Sequence, residues 1–192
     1  MSITSKTAFM ALAAAAVLCV SSRAQAIGYS GSTATGPTFN RTLTGTPPTA
    51  LSAVGTAVKY SVQSFSVGTS GTYQFLSIAV GGWDNFSSLY QLAFNPASAL
   101  SNALVANDDF LNDVNNVGVS GFTAALTAGT AYFYVTTGFS NTSFGAFTDS
   151  ITGPGAVTLT SPVPEPASTE SFALGLAVLG LTLRRISAES SS

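Results

Sequence analysis

The residues best suited to chemistry lie in one short polar segment, 107–116. It holds four asparagines and three aspartates, Asp108, Asp109 and Asp113. Their carboxylate and amide oxygens are hard ligands of the kind that Ca²⁺ prefers, although the segment lacks the glycine and glutamate that an EF-hand loop places at its sixth and twelfth positions. Asn and Asp also favour turns. The sequence therefore leaves two alternatives: a calcium site formed by the three aspartates, or a solvated turn with no cofactor.

Trp83 is the single tryptophan of the chain and the candidate residue for binding a ligand. Its ring could stack on a sugar. A lone tryptophan in a β protein is also a common core residue, because its large ring buries a wide apolar area. An array of exposed aromatic side chains beside Trp83 would favour the binding role.

Catalysis is disfavoured by the residue types that are missing. The chain contains no histidine, so it cannot build a Ser or Cys triad that relies on an imidazole base, and most zinc sites need His or Cys ligands. The region 27–163 has five aspartates and no glutamate, a poor basis for the paired carboxylates of a glycosidase. We predict that the protein is not an enzyme.

Charge excludes a further class of function. The net charge is −2, and only 7% of the residues are charged. A nucleic-acid-binding protein needs clustered Lys and Arg to neutralise phosphates, so no nucleic-acid partner is expected.

Most of the middle of the chain consists of short runs rich in Val, Ile, Thr, Tyr and Phe, separated by Gly, Asn, Asp, Ser or Pro. This pattern indicates strands joined by turns. The predicted strands are 38–42, 57–67, 72–80, 87–94, 103–106, 119–126, 130–139, 144–151 and 156–160. Nine short strands at this spacing predict a single all-β domain with a β-sandwich or jelly-roll-like architecture.

Two local patterns predict irregular features of the strands. Tyr60 and Val62 alternate with polar neighbours, and Phe65 and Val67 do so in the opposite phase, which predicts a β-bulge at residues 63–64. The residues after this strand, Thr69-Ser70-Gly71, predict a tight hairpin.

The aromatic strands predict where the core lies. The run 132–135 is apolar on both faces and therefore predicts a central strand. We expect five aromatic side chains to be mostly buried: Tyr73, Phe75, Tyr132, Phe133 and Tyr134.

The N-terminus predicts a secretory signal peptide. Lys6 supplies a positive charge, residues 8–20 are apolar, and Ala24-Gln25-Ala26 offers the small-x-small pattern that signal peptidase cleaves. The apolar run is shorter than the about 20 residues needed to span a bilayer. We predict cleavage after Ala26.

The C-terminus combines three features in a fixed order. Val163-Pro164-Glu165-Pro166 is followed by the apolar run 172–183 and then by Arg184-Arg185. Prolines keep the first part extended and accessible to a processing enzyme. The apolar run has 12 residues, short of a free-standing span, but 167–183 reaches 17 residues if Glu170 lies near the interface. This segment is expected to hold the tail in the bilayer, and the arginines favour the cytoplasmic side.

This tail resembles the PEP-CTERM sorting signal of exported bacterial proteins. The resemblance implies processing by an exosortase, a membrane-embedded cysteine transpeptidase. It implies a transient stay in the inner membrane and a final place at the cell surface or in the extracellular matrix, in a host that makes exopolysaccharide or biofilm. The same tail occurs on proteins of many kinds, some of them ice-binding.

The central region resembles a second family. Tyr60-x-Val62-x-x-Phe65-x-Val67, Trp83-Asp84-x-Phe86 and Leu126-x-Ala128-Gly129-Thr130-x-Tyr132 are similar to segments of the bacterial pre-peptidase C-terminal domain. This resemblance implies a β-sandwich that assists secretion or binds polymers and can bind calcium. It also places Trp83-Asp84 near the acidic segment 107–116.

The sequence thus predicts four parts: a signal peptide over 1–26, a flexible leader with one edge strand over 27–48, a β-sandwich domain over 49–161 and a sorting tail over 162–192. Helices are expected only in the signal peptide and the transmembrane part of the tail. The function that follows is that of an exported, non-enzymatic envelope or matrix protein associated with exopolysaccharide, whose processing partners are signal peptidase and exosortase. The alternative is a glycan- or ice-binding module. Ice binding calls for a flat array of regularly spaced threonines, and the threonines here repeat at no fixed period.

Overall fold

The computed structural model describes residues 24–110 and 117–160. These residues form ten strands and one short 3₁₀-helix, Pro96–Ser98. The strands are β1 Gln25–Ser32, β2 Thr38–Phe39, β3 Val58–Val67, β4 Gly71–Val80, β5 Asn85–Gln91, β6 Ala103–Asn107, β7 Val119–Leu126, β8 Tyr132–Gly138, β9 Ala146–Gly153 and β10 Val157–Leu159. The prediction of an all-β domain is confirmed.

The strands form two antiparallel sheets that pack face to face. The smaller sheet has the order β1-β9-β4-β7, and the larger has the order β10-β3-β8-β5-β6 with β2 also paired to β3. β8 lies in the middle of the larger sheet, as the apolar run 132–135 predicts.

Aromatic rings fill one end of the space between the sheets. The ring of Phe75 on β4 lies 5.8 Å from that of Phe65 on β3, 5.1 Å from that of Phe122 on β7 and 5.1 Å from that of Tyr134 on β8. Aromatic pairs at such distances add stability beyond the area that they bury. This cluster joins the two sheets.

A second apolar cluster covers the outer face of the larger sheet. The rings of Phe39, Tyr60, Tyr90 and Phe94 lie 4.8–5.4 Å apart in pairs, and Val58, Val135, Ala99 and Ala103 complete the cluster. The 3₁₀-helix that follows Phe94 starts with an Asn95 cap, whose side chain accepts a hydrogen bond from the Ala97 N–H. The larger sheet is therefore apolar on both faces.

This double covering explains the apolar pattern of β3, and the predicted bulge is wrong. β3 pairs with β8 in one unbroken register from Tyr60 to Phe65. Tyr60 and Val62 belong to the outer cluster, whereas Phe65 and Val67 belong to the cluster between the sheets. In a regular strand, residues at even and odd positions face opposite sides of the sheet. The apolar residues can therefore change from even to odd positions without an inserted residue.

The predicted tight hairpin at 69–71 is also wrong, because β3 and β4 lie in different sheets. The turn carries the chain across the sandwich. Hydrogen bonds from other segments hold the crossing in place: the Tyr73 hydroxyl donates to Thr69 O, and the Ala128 N–H donates to Ser70 Oγ.

Each of the nine predicted strands overlaps an observed strand, and four of the five expected core aromatics are at most 1% exposed. Phe133 is half-buried and packs against the outer cluster. The prediction missed β1. It expected a flexible leader with one edge strand over 27–48. β2 lies at the predicted strand 38–42, and most of β1 also lies in this segment. Phe39 and Arg41 of this segment are buried, so it forms part of the β domain.

Both predicted flanking helices, over 1–26 and within 162–192, lie outside the described residues apart from Ala24-Gln25-Ala26, of which Gln25 and Ala26 belong to β1. Within 24–110 and 117–160 no helix has the length and apolar character needed to cross a membrane.

Candidate functional site

Strand pairing brings three aspartates to one end of the larger sheet. β5 pairs antiparallel with β6, and Ser87 lies opposite Asn107. Asp84 immediately precedes β5, and Asp108 and Asp109 immediately follow β6, so the three carboxylates meet at the same sheet end. We call Asp84, Asp108 and Asp109 the acidic cluster. Asp113 lies outside the described residues.

The electrostatics of the acidic cluster confirm this proximity. Burial, followed by the charges of Asp84 and Asp109, raises the pKa of Asp108 to about 7. Burial and then the charge of Asp109 also raise the pKa of Asp84. One carboxylate oxygen of Asp108, Oδ1, is buried without a hydrogen-bond partner. Such an oxygen carries a desolvation cost that a proton or a cation would relieve.

Arg41 is the positive charge nearest to this cluster and was not singled out from the sequence. It is 2% exposed. Its Nε and one terminal nitrogen donate to Phe139 O at 3.0 and 2.8 Å, and the other terminal nitrogen donates to Thr42 O at 2.8 Å. Its guanidinium carbon lies 4.1 Å from the ring centre of Phe86 and 4.8 Å from that of Phe139.

These contacts limit how much Arg41 can offset the aspartates. Its charge lowers the pKa of Asp84 and of Asp108, but its hydrogen bonds go to backbone carbonyls. With all three aspartates ionised, the cluster and Arg41 together carry two net negative charges. That excess attracts cations to this end of the sheet.

The structure also bears on the metal hypothesis directly. Among the residues it describes, no group of three or more acidic, His or Cys side chains is arranged to hold a metal. The predicted set of Asp108, Asp109 and Asp113 is incomplete there, because Asp113 is outside the described part. Calcium binding at this loop stays a prediction.

Trp83 lies beside the acidic cluster in sequence but is not a core residue. It is half-buried, and its indole N–H donates to Ala146 O at 2.9 Å. The indole covers Gly145 so closely that a Cβ at that glycine would lie 2.6 Å from the indole nitrogen. The next residue back, Phe144, is 41% exposed and has the Lys59 ammonium 4.2 Å from its ring centre. Both rings are thus occupied by contacts within the domain.

A layer of buried polar side chains fills the other end of the space between the sheets. Thr136 Oγ1 donates to Asp149 Oδ2 at 2.6 Å, and Asn85 Nδ2 donates to Ser77 O and Ser77 Oγ. The hydroxyls of Ser87 and Ser120 share a hydrogen bond between the sheets. Each of these side chains is at most 2% exposed. Asp149 Oδ1 and Asn85 Oδ1 have no partner.

Burial raises the pKa of Asp149 to about 6, while hydrogen bonds from Ser77, Thr136 and Tyr29 act in the opposite direction. Burial, with the charge of Asp149, also raises the pKa of Tyr29 and Tyr134. Sequence reasoning missed this layer. The signal was present as polar residues at inward positions of otherwise apolar strands, such as Asp149 between Phe147 and Ile151. A carboxylate only 2% exposed cannot reach a substrate, so the layer is structural.

The outer face of the smaller sheet is an open surface without charge. Its side chains alternate with the buried ones on each strand. We call this surface the neutral face; it consists of Ala26, Gly28, Ser30, Ser32, Thr72, Gln74, Leu76, Ile78, Val80, Val119, Thr123, Ala125, Ala146, Thr148, Ser150 and Thr152. These residues include neither a charged nor an aromatic side chain, although the Phe110 ring covers the outward side of Gly121, between Val119 and Thr123. The face measures about 15 Å by 27 Å from strand spacing and length.

Strand register gives the neutral face a regular arrangement that the linear sequence conceals. Thr152, Gln74 and Thr123 lie side by side on three neighbouring strands, and so do Thr148, Ile78 and Val119. The threonines come from three different strands, which is why no fixed period connects them along the chain.

Comparisons with known proteins add no family: no protein-family model matches the chain, and no curated protein matches it.

The raised pKa of Asp149 predicts how stability depends on pH. The folded protein holds this proton more tightly than the unfolded chain, whose Asp pKa is about 3.9. The proton on Asp149 therefore stabilises the folded protein fully below about pH 4. This stabilisation, about 3 kcal/mol, is lost as the pH rises to about 6. Asp149→Asn should remove that fall in the free energy of unfolding, measured by urea titration at several pH values. Ser150→Asn, on the outward side of the same strand, should keep it. A fall of equal size in both variants would contradict this assignment.

The acidic cluster predicts a calcium response. A hundredfold excess of Ca²⁺ over its Kd stabilises a folded site by about 2.7 kcal/mol, a rise in Tm of about 5 to 10 °C. The rise, measured by thermal melts of the exported protein in calcium and in chelator, should disappear in Asp108→Asn and persist in Asp149→Asn. It should also weaken below pH 7, because Asp108 must lose its proton to bind a metal. The same Tm in calcium and in chelator would contradict calcium binding and support the alternative, a solvated turn.

Proposed function

We propose that this chain is an exported, non-enzymatic protein of the bacterial cell envelope or extracellular matrix. Signal peptidase removes its N-terminus, and an exosortase system sorts it through its C-terminus. The observation that carries the proposal is the ordered C-terminal series of Pro164-Glu165-Pro166, the apolar run 172–183 and Arg184-Arg185. The link to exopolysaccharide or biofilm rests on the resemblance of this series to PEP-CTERM signals.

The C-terminal limit of the domain supports this arrangement, because β10 ends at Leu159, four positions before Val163. At the other end β1 begins at Gln25, so cleavage after Ala26 would remove the first two of its eight residues. The sorting motif therefore follows the folded domain almost at once. Before processing, the tail would hold the domain close to the outer side of the inner membrane. Cleavage at the motif would release it.

The polar side chains of the domain support a non-enzymatic role. Asp149 is sealed between the sheets, and Arg41 is held by carbonyl oxygens and two rings. Asp84 and Asp108 adjoin each other at the sheet end, where hard cations are the chemistry that they suit. The described part of the domain thus uses its ionisable groups for packing and charge balance.

Processing predicts a definite mass for the final protein. The exported form should begin at Ile27 and lack Arg184-Arg185, as measured by intact-mass spectrometry of the extracellular fraction. Glu165→Gln should slow processing and leave the longer form in the membrane fraction, because it alters the Pro-Glu-Pro motif. Glu170→Gln, the same change outside the motif, should be processed as the natural chain is. A mass that corresponds to 27–192 would remove the sorting proposal and leave export intact.

A second candidate function, a glycan- or ice-binding module, is favoured by the neutral face. An uncharged array of hydroxyl and methyl groups suits an uncharged, ordered surface. Stacking on sugars would depend on Trp83 and Phe144, which lie outside the neutral face. The Trp83 ring packs on Gly145, and the Phe144 ring, which is 41% exposed, contacts the Lys59 ammonium.

A binding test distinguishes the two candidate functions. Ile78→Lys places a charge within the neutral face, and Leu92→Lys makes the same change at a residue that is 67% exposed outside that face. If the face binds ice or an insoluble neutral polysaccharide, Ile78→Lys should abolish ice-recrystallisation inhibition or pull-down, and Leu92→Lys should not. A natural protein that is inactive in both assays would exclude this candidate and leave the sorting proposal untouched.

A further inference from the structure

β1 is an edge strand with an open backbone. The Thr33 N–H donates to Gly145 O just beyond the β1–β9 ladder, so Thr33 and Gly145 form a hydrogen-bonded pair. Bonded and non-bonded pairs alternate along an antiparallel ladder. The register then directs the N–H and C=O groups of Tyr29 toward Asp149 on β9 and those of Gly28 and Ser30 away from it.

The strand pairs β4–β7 and β4–β9 lead to the same assignment of the inward and outward backbone groups of β1. The Ala79 N–H donates to Gly118 O between β4 and β7, so odd-numbered residues of β4 bond β7 and even-numbered residues bond β9. Odd-numbered residues of β9 are then left to bond β1. In β1, the outward backbone groups therefore belong to Ala26, Gly28, Ser30 and Ser32, and no described residue donates to them or accepts from them.

The other sheet edges in the described part are covered or short. On β6, Ala106 exchanges two backbone hydrogen bonds with Gly45. On β7, Gly121 O accepts from the Asn107 side chain, and Phe110 packs against the same glycine. β10 has only three residues. β1 has eight residues, six of which follow the proposed cleavage point, and none of the described residues covers it in this way.

Nothing in the side chains of β1 guards this edge. Natural edge strands usually carry a lysine, a proline or a bulge that prevents pairing with another strand. β1 contains neither charge nor proline, and its register with β9 is unbroken. Its outward residues are small, so an approaching strand would meet little obstruction.

We propose that β1 pairs with β1 of a second copy of this chain, antiparallel about a two-fold axis at Tyr29. In that register Gly28 of each copy lies opposite Ser30 of the other copy. The outward N–H and C=O groups of these residues then form hydrogen bonds between the two copies. Tyr29 and Ile27, half-buried in one copy, become further covered. Cleavage after Ala26 leaves the pairs between Gly28 and Ser30 in place and removes Ala26, the residue opposite Ser32 in this register.

A second copy fits this edge better than a charged partner. The edge carries no charge, so two copies meet without repulsion, and the pairing joins two smaller sheets into one of eight strands. One strand pair buries less than the about 1,200 Å² of a standard stable interface. We therefore expect a dimer that dissociates on dilution. The inference does not depend on the proposed function.

The test is sedimentation velocity of the exported protein over a wide range of concentration. Ser30→Pro removes one outward N–H, and an edge strand tolerates proline where its N–H faces solvent. This variant should stay at the monomer value at every concentration. The matched control Ser30→Ala keeps the backbone donor and should dimerise as the natural protein does.

Hydrogen exchange of the natural protein provides a second readout that needs no variant. The Gly28 and Ser30 amides should exchange more slowly at high concentration than at low concentration, while the exposed Thr72 and Gln74 of β4 should not change. A monomer at all concentrations would overturn the proposal. So would a dimer that Ser30→Pro leaves intact with fast exchange at Gly28, because its interface would lie elsewhere.

Discussion

The packing of Phe75 against rings from both sheets is the contact on which the rest of the fold depends. Its ring touches Phe65 and Tyr134 on the opposite sheet and Phe122 on its own. The only cysteine is Cys19, so no disulfide can share this role. The sheets are joined by apolar burial and by hydrogen bonds across the gap, and the acidic cluster and the neutral face keep their positions only while that contact holds.

The sandwich is held together differently at its two ends. At the aromatic end, stability comes from burying rings, which has little directional preference. At the polar end, Asp149, Thr136 and Asn85 must keep specific partners, since a buried polar atom that loses its hydrogen bond costs free energy. The polar end therefore fixes how one sheet is aligned on the other. It is also the end at which a proton or a charge can alter stability, because Asp149 is buried there.

The positions of the strands could be predicted from the sequence because alternation and turn residues are local signals. β7, for instance, runs over the predicted 119–126. Sheet membership could not be predicted: β3 and β4 follow each other closely yet lie in different sheets. β1 was missed because its small and polar residues, with Ile27 and Tyr29 as the only large apolar ones, resemble a linker. The proximity of Asp84 to the acidic segment was predicted only through the resemblance to the pre-peptidase C-terminal domain, because it depends on the register of β5 and β6. The neutral face depends on the register of four strands and was not predicted.

The smaller sheet joins segments that lie far apart in the sequence, which affects the order in which the domain can fold. Tyr29 of β1 pairs with Asp149 of β9, so the smaller sheet joins the first strand of the domain to the last but one. A chain threaded through a membrane from its N-terminus cannot complete that sheet until β9 has emerged. Such long-range pairing is intrinsically slow, because the entropy of closing the loop is lost before the contacts form. If the chain is exported as proposed, the smaller sheet would stay incomplete until β9 has crossed the membrane.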